Sequence, residues 1–183
     1  MFSGRPVIRL VVVVAAILAA SALPALCMFA WLVLADPFGG GSHPADEALL
    51  TQFRAKREFL DELVRMIDAD PKLQRLAPDF MRPEDFALAG VSADRIAAYR
   101  RLCAEAGIAH GFSHDGDPID FIVHTRGLAI SGSAKGFVHA EHADEDATIV
   151  DGDLDAAAAS LKEKDALLER RIDGDWWLML DMR

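Results

Sequence analysis

The chain has 183 residues, 52% hydrophobic and 26% charged, with 19 basic against 29 acidic side chains and a formal net charge of −10. That negative balance removes nucleic acid and anionic lipid surfaces from the expected partners, since both are normally met by basic patches. The two cysteines, Cys27 and Cys103, cannot supply a disulfide framework, and one of them lies in an apolar run, so core packing has to hold any folded part together.

Residues 1–9 contain Arg5 and Arg9, and Leu10 to Ala35 follow without one charged side chain. A helix over those 26 positions rises about 39 Å, more than the roughly 30 Å of a hydrocarbon core. The run is therefore expected to be a transmembrane helix in contact with the lipid bilayer, kinked modestly at Pro24. No Lys or Arg occurs from Asp36 to Phe53, so the positive-inside bias leaves residues 1–9 in the cytoplasm and sends the remainder across. A cleaved signal, cut after Ala22 or Ala35, is the competing expectation, although the apolar run is about twice the usual length of such a segment. Lipidation at Cys27 is disfavoured by Leu26, which stands where that processing uses a small residue.

All 29 acidic but only 17 basic residues follow Ala35, giving the exported part a net charge of −12. Residues 36–44, with Pro37, Gly39, Gly40, Gly41 and Pro44, read as a linker with a reach of about 15 Å. The 139 residues from Ala45 to Arg183 suffice for one domain.

From Ala45 apolar residues recur at three- and four-residue steps: Leu49, Leu50, Phe53, Leu60, Leu63, Val64 and Ile67. This pattern predicts a helix ending near Asp70, before Pro71. Asp79 to Gly90 should hold only short helical turns. A second helix is predicted over Ser92 to Ala106, with Ser92 as N-cap and Gly107 as its stop. Beyond Gly107 the period becomes two. Short strands are predicted over Ile108–Ser113, Ile119–Thr125, Leu128–Ser133 and Phe137–Glu141, the last two separated by a turn at Ala134-Lys135-Gly136. Asp151 to Asp165 is ambiguous between turn and helix. A hairpin closes the chain, with Leu167–Ile172 and Trp176–Met182 flanking Asp173-Gly174-Asp175. Helices followed by strands imply an α+β domain over 45–183, with helices packed on one face of an antiparallel sheet.

Chemistry-bearing residues give weak signals. Six histidines (His43, His110, His114, His124, His139 and His142) suggest zinc, but residues three apart on a strand, such as His139 and His142, face opposite sides. Asp151-Gly152-Asp153-Leu154-Asp155 begins like a calcium loop, yet Ala156 and Lys162 stand where Gly and the bidentate Glu belong. Ser131, Ser133 and Lys135 raise a Ser-Lys nucleophile pair, which requires burial to lower the lysine pKa. No G-x-S-x-G, G-x-G-x-x-G or G-x-x-x-x-G-K-[ST] occurs. No cofactor, metal or catalytic residue is expected on these grounds.

Trp176, Leu178, Leu180 and Met182 share one strand face and read as core; Trp177 and Met179 share the other. They lie either beneath a loop or helix, or exposed as an interaction face for a partner. The stretches Arg126–Phe137 and Ile172–Leu180 resemble uncharacterised, membrane-anchored proteobacterial proteins carrying an R-G-L-x-I-S-G-S-x-K-G-[FY] run and an I-[DE]-G-[DN]-W-[WY] hairpin. That resemblance brings no activity. It implies a bacterial inner-membrane protein, single-pass, with its C-terminal domain in the periplasm. The expected role is a non-catalytic one, through contacts with another envelope protein or with itself. The alternative is a small-ligand-binding or hydrolase domain, with a pocket between helices and sheet that includes His124 or Lys135.

Overall fold

A computed structural model describes residues 42–114, 116–127, 132–162 and 165–183. The expected cytoplasmic segment 1–9, the transmembrane run 10–35, Cys27, most of the linker, and Ser131 lie outside the described residues. Among the described residues, no helix is long and apolar enough to cross a membrane.

Helix α1, Asp46–Ala69, follows the apolar stripe of the sequence: Leu49, Leu50, Phe53, Leu60, Leu63, Val64 and Ile67 are all buried. Each such aliphatic side chain contributes about 1.5 to 3 kcal/mol by leaving water. Asp46 and Glu47 in the first turn complement the positive end of the helix dipole. The one-turn helix α2, Phe86–Ala89, is capped by Asp85 and stopped by Gly90 at φ 72°. Helix α3, Ala93–Ala106, begins where predicted, with Ser92 Oγ accepting the Arg95 N–H at 3.1 Å, and ends at Gly107 in the left-handed region. Arg95 Nε and Tyr99 Oη both donate to Asp70 Oδ2, at 2.7 and 2.8 Å, which fastens α3 to the end of α1. Helix α4, Leu154–Ser160, resolves the ambiguous segment; Asp153 caps it through the Ala156 N–H.

Eight strands form one sheet: β1 Arg75–Leu76, β2 Met81–Arg82, β3 Phe112–His114, β4 Ile119–Arg126, β5 Ser133–His139, β6 Ala147–Ile149, β7 Leu167–Asp173 and β8 Trp176–Asp181. Their spatial order is β2-β1-β3-β4-β5-β8-β7-β6. The fold is α+β as expected, but the sheet is mixed rather than antiparallel, because β6 runs parallel to β7.

A second correction concerns β5. Lys135 and Gly136 lie inside that strand, opposite Leu180 and Met179 of β8, and form no turn. Gly136 is required by close approach. A Cβ there would stand 2.0 Å from the Phe121 carbonyl oxygen.

The register sorts the sheet into two faces. On the face toward α1 and α3, Phe112, Phe121, Phe137 and Leu178 fall in one row, with His124, Lys135, Leu180 and Leu168 in another. Aromatic rings fill the space beneath α1: Phe53 lies 5.6 Å from Phe137 and 5.5 Å from Trp176, and Phe121 lies 5.6 Å from Trp176, centroid to centroid. Between α3 and the Ala77-Pro78 loop a hollow of about 250 Å³ remains at the margin. The opposite face carries Ser113, Asp120, Val138 and Trp177 in one row and Ile122, Gly136, Met179 and Glu169 in the next.

Candidate functional site

On the face away from the helices, the β1–β2 hairpin rises at one side and the Ala140–Asp146 loop at the other. Between them lies a groove of about 710 Å³. Its floor is apolar (Ile122, Ala134, Leu167, Met179), and five carboxylates line it: Asp79 on the β1–β2 hairpin, with Asp120, Asp144, Glu169 and Asp181. Arg75, His110, Ser113, Thr125 and Arg183 complete its polar lining.

The strand alternation explains why acids converge here. Asp120 sits between the core residues Ile119 and Phe121, so its side chain takes the other face. Glu169 and Asp181 do the same on β7 and β8. Burial pushes the Asp120 carboxyl up to about 6, and the charges of Asp181 and Asp144 add to that rise; a Ser113 hydroxyl at 3.4 Å and Arg183 oppose it. Glu169, 2% exposed, is also raised by burial, although its Oε2 accepts the Asp144 N–H at 3.1 Å. Burial lowers His110. Arg183 grips Asp181 through Nε and Nη2, at 3.1 and 3.3 Å. An apolar floor with converging, perturbed ionisable groups is the usual signature of a binding or catalytic cleft.

Trp177 and Met179 lie on this face, as the alternation predicts, but under cover. They are 7% and 4% exposed, packed with Val138, Ala140 and Leu167, and Trp177 Nε1 donates to the Ala140 carbonyl at 3.1 Å. A partner could not reach the Trp177 ring without displacing that loop. Met179 contributes only to the groove floor.

The other residues singled out by the sequence gather on the helix side. Lys135 is fully buried, and its Nζ lies 2.7 Å from Asp46 Oδ1, 2.6 Å from Asp155 Oδ2 and 3.0 Å from the Pro44 carbonyl. The Asp46 Oδ1 contact is ionic and off the hydrogen-bond direction, since that oxygen has no hydrogen-bond partner. Asp46 Oδ2 accepts the Leu154 N–H at 2.9 Å. Beside this cluster, Ser133 Oγ lies 2.7 Å from His43 Nε2, and His43 Nδ1 lies 3.1 Å from His124 Nδ1. Burial, with the charges of His124 and Lys135, pulls His43 down to about 4.

Lys135 is thus buried as the Ser-Lys idea requires, but its Nζ is taken up by Asp46, Asp155 and the Pro44 carbonyl rather than by a serine. Ser133 faces His43 instead. The calcium reading has a structural counterpart as well: Asp46, Asp153 and Asp155 bring donor oxygens within 4.8 Å of one another. The Lys135 ammonium, however, takes the place of a cation between Asp46 and Asp155, and Asp153 caps α4. Apart from the His43–His124 contact, the histidines do not gather at one point. His114 Nε2 contacts the Leu73 carbonyl at 2.7 Å, His139 stacks edge-on against Trp176, and His142 is exposed on its loop.

Sequence reasoning missed the acidic groove, because its carboxylates come from three strands and two loops far apart in the chain. No protein-family model, curated protein or solved structure matches this chain.

Proposed function

We propose that the chain is a single-pass membrane-anchored protein, carried in a bacterial inner membrane by residues 10–35, whose domain acts in the periplasm as a non-catalytic binding module. Its ligand, in this reading, presents positive charge: a basic side chain of an envelope protein, or a small polyamine. The observation that carries the proposal is the groove lined by Asp120, Asp144, Glu169 and Asp181 around an apolar floor. A cation there would favour the charged form of Asp120, which burial and, to a lesser degree, the neighbouring carboxylates disfavour, so binding releases a proton and strengthens as pH rises through 6. The apolar run and the resemblance to membrane-anchored proteins support the anchor. The pocket expected between helices and sheet is replaced in this proposal by the groove on the opposite face.

Titration of the full chain, in a nonionic detergent, with spermidine and with a lysine-rich peptide tests the binding role. Saturable binding, tighter at pH 7.5 than at pH 5 and lost in Asp120→Asn/Asp181→Asn, is the expected result. Binding that ignores those substitutions would remove the groove from the proposal. A reporter fused after Arg183 tests the topology: activity confined to the cytoplasm would sink the periplasmic assignment.

A second reading, a hydrolase, rests on the Ser133–His43–His124 chain. It has the order of nucleophile, base and orienting group, with His43 Nε2 free of a proton whenever Nδ1–H points at His124. A fluorophosphonate that labels the wild type but not Ser133→Ala would establish that chemistry. An unlabelled Ser133 leaves the binding module standing alone.

A further inference from the structure

Although the exported part carries a net charge of −12, four of its 17 basic residues line one groove of about 450 Å³ between α1 and the β7–β8 hairpin: Arg54, Arg57, Arg170 and Arg171. A single carboxylate, Asp173, belongs to the lining. Arg57 takes two carboxylates. Arg57 Nε donates to Asp61 at 2.8 Å, and its Nη1 donates to Asp173 at 2.7 Å.

Three of the four guanidiniums are positioned by their surroundings. Arg57 lies over the Phe53 and Trp176 rings, with Cζ 5.2 and 5.7 Å from their centroids. Arg171 donates to the Gly174 carbonyl at 2.9 Å and lies over Trp177, so its guanidinium is on the other face of the sheet and outside the anion site. Arg170 approaches Asp46 Oδ2 at 3.5 Å, on a carboxylate already held by Lys135 and the Leu154 N–H. Arg54, at the mouth, makes no ion pair among the described residues. Each guanidinium has five N–H donors in a planar fork, so most donors in this groove are unused by the fold. Like charges brought this close repel unless a counter-charge sits among them.

The geometry points to an anion-binding site in this groove, for a ligand carrying a doubly charged oxyanion: a phosphoryl group or paired carboxylates held by Arg54, Arg57 and Arg170. Forked guanidinium donors match the planar or tetrahedral oxygens of both groups. The site is separate from the acidic groove, and its ligand has the opposite charge.

The test is thermal unfolding of the full 183-residue chain in a nonionic detergent, titrated with inorganic phosphate and, separately, with citrate, at constant ionic strength set by chloride. A saturable rise in melting temperature with phosphate alone assigns a phosphoryl ligand, and with citrate alone a carboxylate ligand; a rise with both leaves the site open to either. In each case Arg54→Gln/Arg170→Gln should abolish the rise at least tenfold in apparent affinity. Arg54→Glu, exposed and free of ion pairs, provides a variant that leaves the fold intact and should weaken binding further. Non-saturable stabilisation, or the same rise in wild type and variants, reflects exclusion of the salts from the protein surface and overturns the site.

Discussion

Lys135 Nζ lies 2.7 Å from Asp46 Oδ1 with both side chains out of water, at 0% and 2% exposure. The contact joins the first residue of α1 to the middle of β5 and holds the start of the domain, Pro44 included, against the sheet. A buried ion pair is weak evidence of net stabilisation, because desolvation offsets much of the attraction. Losing one partner is another matter.

Lys135→Met should therefore destabilise by about 3 to 5 kcal/mol, since it leaves Asp46 charged and buried. The double variant Asp46→Asn/Lys135→Met should lose less than Lys135→Met alone. Urea midpoints for the wild type and the two variants measure this, and a double variant at least as unstable as Lys135→Met would show that the charge of Asp46 is not the cause.

Gly136→Ala adds a methyl group 2.0 Å from the Phe121 carbonyl oxygen, a rigid backbone atom rather than a movable side chain. The strands must part locally, at a cost near the top of the range of about 1 to 3 kcal/mol for overpacking. A Gly152→Ala control, which meets nothing within 4 Å, should leave the urea midpoint nearly unchanged.

These two neighbours also show where the sequence was misleading. Ala134-Lys135-Gly136 has the composition of a turn, and nothing local reveals that the lysine finds a carboxylate 89 positions earlier or that the glycine makes room for a crossing backbone. The helices were legible, because Ser92, Gly107 and the apolar stripe of α1 act within a few residues. Strands β1, β2 and β6, of two or three residues each, are too short to display a period. The alternation of Trp176 and Trp177 gave their faces correctly. It could not reveal the Ala140–Asp146 loop that covers Trp177.

Trp176→Ala should cost about 3 to 5 kcal/mol, as expected for a ring packed between Phe53, Phe121 and His139. Trp177→Asp is the more informative change. It buries a carboxylate and removes the hydrogen bond to Ala140, so it should destabilise the domain and free the Ala140–Asp146 loop. Hydrogen exchange over residues 140–147 reads this out; a stable variant with an unchanged loop would contradict the observed burial.

Two groups give the domain opposing responses to acid. The Asp120 carboxyl, ordinarily near 3.8, is pushed up to about 6, so between those values the folded chain holds a proton that the unfolded chain has released. Folding is then favoured as pH falls through 6, and above 6 the buried charge costs about 3 kcal/mol. His43, ordinarily near 6.5, is pulled down to about 4, so over that interval the unfolded chain is the one that binds the extra proton. Its contribution is present above pH 6.5 and is lost as pH falls toward 4, by about 1 to 2 kcal/mol for a half-buried ring. In the wild type the two slopes largely cancel between pH 4 and 6. Substitution separates them. Asp120→Asn should raise the urea midpoint at pH 7.5 but not at pH 4, whereas His43→Gln should flatten the loss of stability on the acid side. If Asp120→Asn stabilised equally at both pH values, the gain would come from the amide's hydrogen bonding rather than from removing a buried charge. The proposed binding of a cation in the acidic groove would then lose its electrostatic basis.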